Sequence, residues 1–269
     1  MQVSQPWGRD DIVSRLRAAG CVFAEEEAEL LLAEGGPRDE ISARVEQRAA
    51  GEPLEQVLGW AGFCGLRISV APGVFVPRRR TEFLVRQAAA LAPVPTGVVV
   101  DLCCGSGAVA AALDALLGPA ELHAADVDPA AVACARANLP AAHVHTGDLY
   151  AALPEALRGR VDVLAANVPY VPTGEIMLLP PEARLHEARW ALDGGPDGLA
   201  VMRRVAEGAP DWLAPGGSVL VETSERQAEA AAAAFGARGL VPAIARSEQL
   251  ASTVVSGTLP LLEKGGAVA

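Results

Sequence analysis

From Gly97 onward the chain alternates short apolar runs with alanine-rich segments of helical period, and this alternation narrows the folds open to it. Strand "GVVVDL" precedes helix "AVAAALDALLG", strand "ELHAAD" precedes helix "PAAVACARANL", and "AHVHTG" reads as a short strand. Strand "VDVLAAN" follows, then a long irregular segment, helix "GLAVMRRVAEGAPDWL", strand "GGSVLVETS", helix "ERQAEAAAAAFGARG" and two closing strands around "VPAIARS" and "ASTVVSGTLP". Parallel neighbours need a crossover helix, so the pattern predicts an α/β fold with a mainly parallel, doubly wound sheet. The closing pair has no helix between its members, so one of them is expected to be antiparallel. Hydrophobic residues make up 51% of the chain and aromatics only 4%, which predicts a fine-grained, helix-rich core.

Upstream the character differs. Residues 1–58 read as short helices. In "GRDDIVSRLRAAG", Asp10 or Asp11 is the expected N-cap, Ile12, Leu16 and Ala19 share a face, and Gly20 is the stop. "AEEEAELLLAEGG" and "RDEISARVEQRAAG" repeat the pattern, with Glu25 to Glu27 read as a solvated first turn that suits the helix dipole. Residues 59–78, including "WAGFCGLRISVAPGVFVP", turn β-like with Gly and Pro punctuation, as in a hairpin connector. "TEFLVRQAAALA", with Thr81 as its cap, then opens the third unit, residues 79–269.

Doubly wound sheets bind ligands at the carboxyl ends of their strands. The first ends in "DLCCGSG": Asp101, then Cys103, Cys104, Gly105, Ser106 and Gly107. An acid separated by three residues from Gly-x-Gly repels a pyrophosphate but favours a cation such as an amino-acid ammonium. A Gly-x-Gly turn alone is weak, since many βα turns need glycine for tightness. The second strand ends at Asp126, where a carboxylate can accept both hydroxyls of a ribose; Asp128 before Pro129 already serves as the helix cap. After the third strand, Asp148 can hold an adenine amine and Leu149 can pack on its ring. The ordered set is more specific than any member, and it resembles the class I methyltransferase arrangement for S-adenosylmethionine. The vicinal Cys103–Cys104 pair would close a strained ring as a disulfide, so small side chains in a tight loop is the plainer reading.

The fourth strand ends in Asn167-Val168-Pro169-Tyr170. An amide or amine nitrogen awaiting methylation carries N–H donors. The Asn167 side-chain oxygen and the Val168 carbonyl can each accept one, aiming the lone pair at the methyl group. Pro169 holds Val168 extended, and the Tyr170 ring can stack on a flat substrate. An ordinary Asn-x-Pro turn would explain the same residues, but it loses ground behind three nucleotide-type strand ends.

At these residues the chain resembles the protein-(glutamine-N5) methyltransferases that modify peptide release factors. Asn-Val-Pro-Tyr stands where that family has Asn-Pro-Pro-Tyr. "GEPLEQVLGWAGFCGLRISV" resembles its connector hairpin, "FVPRRRTEFLV" its Pro-Arg-x-x-Thr-Glu segment, "DLCCGSGAVA" its Asp-Leu-Gly-Thr-Gly-Thr-Gly loop, and "HEARWALDGGPDGL" its Gly-Gly…Asp-Gly-Leu stretch. The resemblance implies a helical substrate-recognition domain ahead of a catalytic one. It also implies S-adenosylmethionine as cofactor and a release factor as protein partner. The cofactor loop falls on Cys103 to Gly107, the ribose acid on Asp126, and the adenine site on Asp148 and Leu149. Asn167 to Tyr170 are expected to hold the glutamine amide. Arg79 and Arg80 replace the family's usual proline and acid, Val168 and Ala188 each replace a proline, and the two cysteines replace Gly-Thr.

An exocyclic-amine methyltransferase of DNA or RNA poses the same chemical problem. However, 22 basic against 33 acidic residues give a net charge of −11 and no basic stripe, which disfavours a nucleic-acid substrate. The same strand ends would also serve methylation of a small natural product, or a binding protein without catalysis. Five cysteines without metal-ligand spacing and four scattered histidines offer no zinc site. The N-terminal "MQVSQPW" reads as no leader and no run approaches the ~18 apolar residues of a membrane span, so a reduced, cytoplasmic protein is expected.

Overall fold

The computed structural model describes residues 8–261; the segment read for a leader, before Gly8, lies outside it. Four helices come first: α1 (Arg9–Ala18), α2 (Ala24–Ala33), α3 (Arg38–Ala49) and α4 (Leu54–Leu58). They close over a small core of their own, with Ile12, Val13, Leu16, Ala28, Leu31 and Val45 buried together. Two details differ from expectation. Helix α1 begins after Gly8, and Asp11 caps from inside, its carboxylate accepting the Gly8 N–H at 3.0 Å; the helix ends at Ala18, leaving Ala19 exposed beyond it. Glu27 is not solvated but buried, held by Arg48 at 2.6 and 2.9 Å, because α3 packs that guanidinium against α2.

The hairpin β1 (Trp60–Phe63) and β2 (Leu66–Ser69) is antiparallel and leads to α5 (Glu82–Leu91). Thr81 stands at the cap position of α5 but makes no side-chain cap bond, since a single 3-10 turn over Arg79–Thr81 already gives it helical backbone. The remainder is β3 (Val98–Leu102), α6 (Ala108–Leu117), β4 (Glu121–Asp126), α7 (Pro129–Asn138), β5 (His143–Thr146), β6 (Val161–Ala166), α8 (Pro181–His186), α9 (Ala200–Trp212), β7 (Leu213–Thr223), α10 (Ala228–Gly236), β8 (Val241–Ser247) and β9 (Ser252–Thr258).

The seven strands lie in the order β5-β4-β3-β6-β7-β9-β8, and only β9 runs against its neighbours. Side chains alternate across the pleat into two cores. Val98, Val100 and Leu102 of β3 face α9 and α10, together with Leu164 and Ala166 of β6. Val99 of β3 and Val163 and Ala165 of β6 face α5 and α6. Burial on both sides is why these strands read as unbroken apolar runs. The chain leaves β3 for β4 on one side and returns to β6 on the other. That reversal opens a crevice at the strand ends. No helix among the described residues is long and apolar enough to cross a membrane.

Candidate active site

A cavity of about 790 Å³ occupies this crevice, and Asp101, Asp126, Asp148 and Asn167 all line it. Asp101, the last-but-one residue of β3, is 1% exposed. Its Oδ2 accepts the Ala110 N–H at 3.0 Å, while Oδ1 is buried without a partner. Burial, opposed by that bond, pushes its carboxyl up to about 8. The adjoining loop turns back on itself, with Gly107 N–H donating to the Cys104 carbonyl at 2.7 Å. Gly107 has φ +78°, and a Cβ there would come within 2.8 Å of Leu139 and 3.1 Å of Ala135, so α6 can start this close to α7 only from glycine. Cys103 has φ +56° without being glycine, a strain on the order of 1 kcal/mol at the cavity wall. Cys103 and Cys104 are free thiols, and burial raises the pKa of both, so neither is a thiolate at neutral pH.

Asp126 closes β4. Its Oδ2 accepts the Gly105 N–H and its Oδ1 the Asp128 N–H, both at 2.9 Å. The two bonds fix the carboxylate plane and leave each oxygen a lone pair for a hydroxyl. Asp128 caps α7 through the Ala130 N–H at 2.8 Å, as its position before Pro129 predicts. Asp148 is more exposed and is paired with Arg204 of α9 at 2.6 Å. Leu149 is mostly buried, also in left-handed backbone (φ +49°), and belongs to the core while lining the cavity.

The opposite wall carries Asn167 to Tyr170. The Asn167 side chain makes no hydrogen bond within the described residues, so its amide is available to the cavity. Val168 buries its side chain in the core, and Pro169 is buried beside it. The Tyr170 hydroxyl donates to Glu222 Oε1 at 2.9 Å, and its carbonyl accepts from Gln227 Nε2 at 2.9 Å. The stretch after Arg189 is laced to this loop: Val171 N–H donates to the Leu192 carbonyl at 3.1 Å, and Gly194 N–H to the Val171 carbonyl at 2.8 Å.

Several partners escaped sequence reading. Asn138 staples the hairpin to the glycine loop, exchanging bonds with Ser69 at 2.9 Å and donating to the Ser106 carbonyl at 2.8 Å. Arg78 pairs with the buried Glu187 at 2.6 Å, and Arg80 pairs with Glu222 at 3.0 Å. Glu222, at the end of β7, could have been found by the strand-end rule that picked out Asp101 and Asp126. No group of side chains able to hold a metal ion occurs among the described residues.

The model of the methyltransferase small domain matches residues 65–210. A release factor glutamine methyltransferase from Mycolicibacterium smegmatis is 39% identical over 242 residues, covering 80% of this chain and 84% of that one. This chain belongs to the release factor glutamine methyltransferases. The family is S-adenosylmethionine-dependent, and the sheet described above is its class I methyltransferase fold. A 4-amino-L-phenylalanine/4-methylamino-L-phenylalanine methyltransferase from Streptomyces pristinaespiralis is 38% identical over 203 residues, covering 72% of this chain and 69% of its own. Among solved structures, a methyltransferase from Pyrococcus furiosus matches in fold, with TM-score 0.55 at 16% identity over 82% of this chain and 98% of that one.

Proposed function

We propose that the cavity takes S-adenosylmethionine along Asp101, Asp126 and Asp148 and a glutamine side chain of a peptide release factor against Asn167 to Tyr170. The enzyme then methylates the amide nitrogen. The observation that carries this reading is that Asn167, whose amide is unbonded among the described residues, and Asp101, which has one buried oxygen without a partner, line one cavity.

The residues suit the cofactor. Asp101 Oδ1 lacks a partner and would receive the ammonium, Asp126 has two lone pairs for the ribose hydroxyls, and Leu149 offers an apolar wall to the base. Asp148 would meet the adenine amine with its free oxygen, since Arg204 holds the other. The loop of Cys103, Cys104, Gly105, Ser106 and Gly107 would pass along the amino-acid part. The cofactor supplies an electrophilic methyl group.

A proton follows from the Asp101 assignment. Its folded-state pKa of about 8 lies above that of an unfolded aspartate, near 4. Between those values the folded chain holds a proton that the unfolded chain lacks, so stability of the free enzyme declines as pH rises through that window. An ammonium beside Oδ1 favours the carboxylate. Cofactor binding at pH 7 is therefore expected to release a proton, read by calorimetry in buffers of different ionisation enthalpy. Asp101→Asn should abolish the release and flatten the decline in stability. A wild-type binding enthalpy independent of buffer would contradict the assignment.

On the acceptor side, the Asn167 and Val168 oxygens would accept the two amide N–H groups and draw them out of conjugation, freeing the lone pair. No strong base is required, because the proton can leave after transfer. The helical unit of residues 1–58 and the connector of 59–78 would recognise the protein partner, leaving 79–269 for catalysis. The enzyme would work in the cytoplasm. The test is incubation of the full chain with methyl-labelled S-adenosylmethionine and purified release factor. Label is expected in the release factor; its absence there would reject the substrate. The Streptomyces pristinaespiralis relative favours a second reading, N-methylation of a small amino acid bearing an aromatic amine.

A further inference from the structure

Arg80 lines the acceptor end of the cavity beside Tyr170, its guanidinium carbon 5.7 Å from the ring centroid. Its Nε donates at 3.0 Å to Glu222 Oε1, the same oxygen that takes the Tyr170 hydroxyl at 2.9 Å. The Glu222 side chain is 2% exposed and the Arg80 side chain 46%, so a buried carboxylate anchors the guanidinium from below while its other edge meets solvent. The Nη1–Nη2 edge makes no hydrogen bond to a carboxylate within the described residues. That edge is the face of arginine that fits a carboxylate with two parallel bonds. Arg79, exposed alongside, is in no ion pair among the described residues.

Arg80 also hydrogen-bonds the Tyr170 side chain and so helps to brace it. That bond and the one to Glu222 account for the anchored side of the guanidinium and not for its half-exposed edge. The cofactor does not account for it either, because the acids assigned to the cofactor, Asp101, Asp126 and Asp148, sit on other strand ends. In a chain of net charge −11, a guanidinium at the acceptor end is a selective feature.

We infer that this edge is a carboxylate subsite: the acceptor carries a carboxylate near the methylated nitrogen, and Arg80 selects for it. The inference rests on the reading that methyl transfer takes place at Asn167 to Tyr170. The carboxylate belongs either to an acidic side chain of the release factor or to a free amino acid, and the chemistry is the same.

Two arms distinguish the sources. In the first, Arg80→Gln and Arg80→Lys are compared with wild type on purified release factor. A lost charge-assisted pair predicts a KM raised about tenfold or more in Arg80→Gln with kcat within a few-fold, and partial rescue in Arg80→Lys. Each acidic residue flanking the labelled glutamine is then changed to its amide. One such change should raise KM for wild type and have no further effect in Arg80→Gln. An unchanged KM in Arg80→Gln, a fall confined to kcat, or no coupling with any acidic residue would overturn the subsite for a protein acceptor. In the second arm, 4-amino-L-phenylalanine is compared with its carboxamide. Transfer to the acid alone, lost in Arg80→Gln, with none to release factor, would keep the subsite and reject the release-factor reading. Transfer to both compounds equally, or to no acceptor in either arm, would overturn the subsite.

Discussion

Asn167→Ala is expected to slow single-turnover methyl transfer by roughly two to three orders of magnitude while leaving cofactor affinity nearly unchanged. The Asn167 amide has no partner among the described residues, so its removal breaks no internal bond there and should cost little stability. Its proposed partner is an N–H whose alignment matters only as the methyl group moves. Loss of such a bond costs about 2.7–4 kcal/mol in comparable sites. Val168→Pro is the companion. It keeps the carbonyl, and no backbone hydrogen bond is made by the Val168 N–H among the described residues, so activity should survive. An active Asn167→Ala enzyme would reduce the motif to a turn. A dead Val168→Pro enzyme would show that this chain shapes its pocket for another acceptor.

Gly198→Ala is expected to cost nearly as much activity through packing alone. Gly198 is buried beneath the acceptor loop with φ +76°, and an added Cβ would lie 2.3 Å from the Tyr170 carbonyl and 2.2 Å from Gln227 Nε2. Gln227 Nε2 is the donor that joins the Tyr170 carbonyl to the Asp197 carbonyl, at 2.9 Å each. The methyl group therefore cannot enter without moving Tyr170 or breaking that clamp. A displacement near 1 Å at a reacting centre can cost about a hundredfold in rate. Turnover should fall on that scale, melting temperature should drop, and cofactor affinity should hold, since Asp126 and the glycine loop lie on other strands. Wild-type turnover in Gly198→Ala would show that Tyr170 need not be fixed.

What could be read in advance, and what could not, follows the range of the interactions. Strands β3 and β6 were legible because burial on both faces writes continuous apolar runs, and their ends could be read because a parallel sheet collects them at one edge. Asp126 and Asn167 were therefore visible as strand-end residues. Arg204 against Asp148, and Arg80 against Glu222 from 142 positions away, were not, since no local period links them. Glu27 was misread for the same reason: three adjacent glutamates look solvated until a guanidinium from another helix is packed on one of them. The Asp10 or Asp11 cap failed differently. Gly8 supplies the turn and Asp11 the bond, so cap and carboxylate are three residues apart rather than one and the same.

Fragmentation mass spectrometry of the reacted partner decides whether this cavity brings a methyl donor to a glutamine amide of a release factor. Purified release factor is treated with the full chain and S-adenosylmethionine, digested, and sequenced by fragmentation, with the Asn167→Ala enzyme as control. One added methyl group is expected, on the side-chain nitrogen of a single glutamine, with almost none from the variant. A methyl group on any other residue type, or equal labelling by Asn167→Ala, would contradict that assignment.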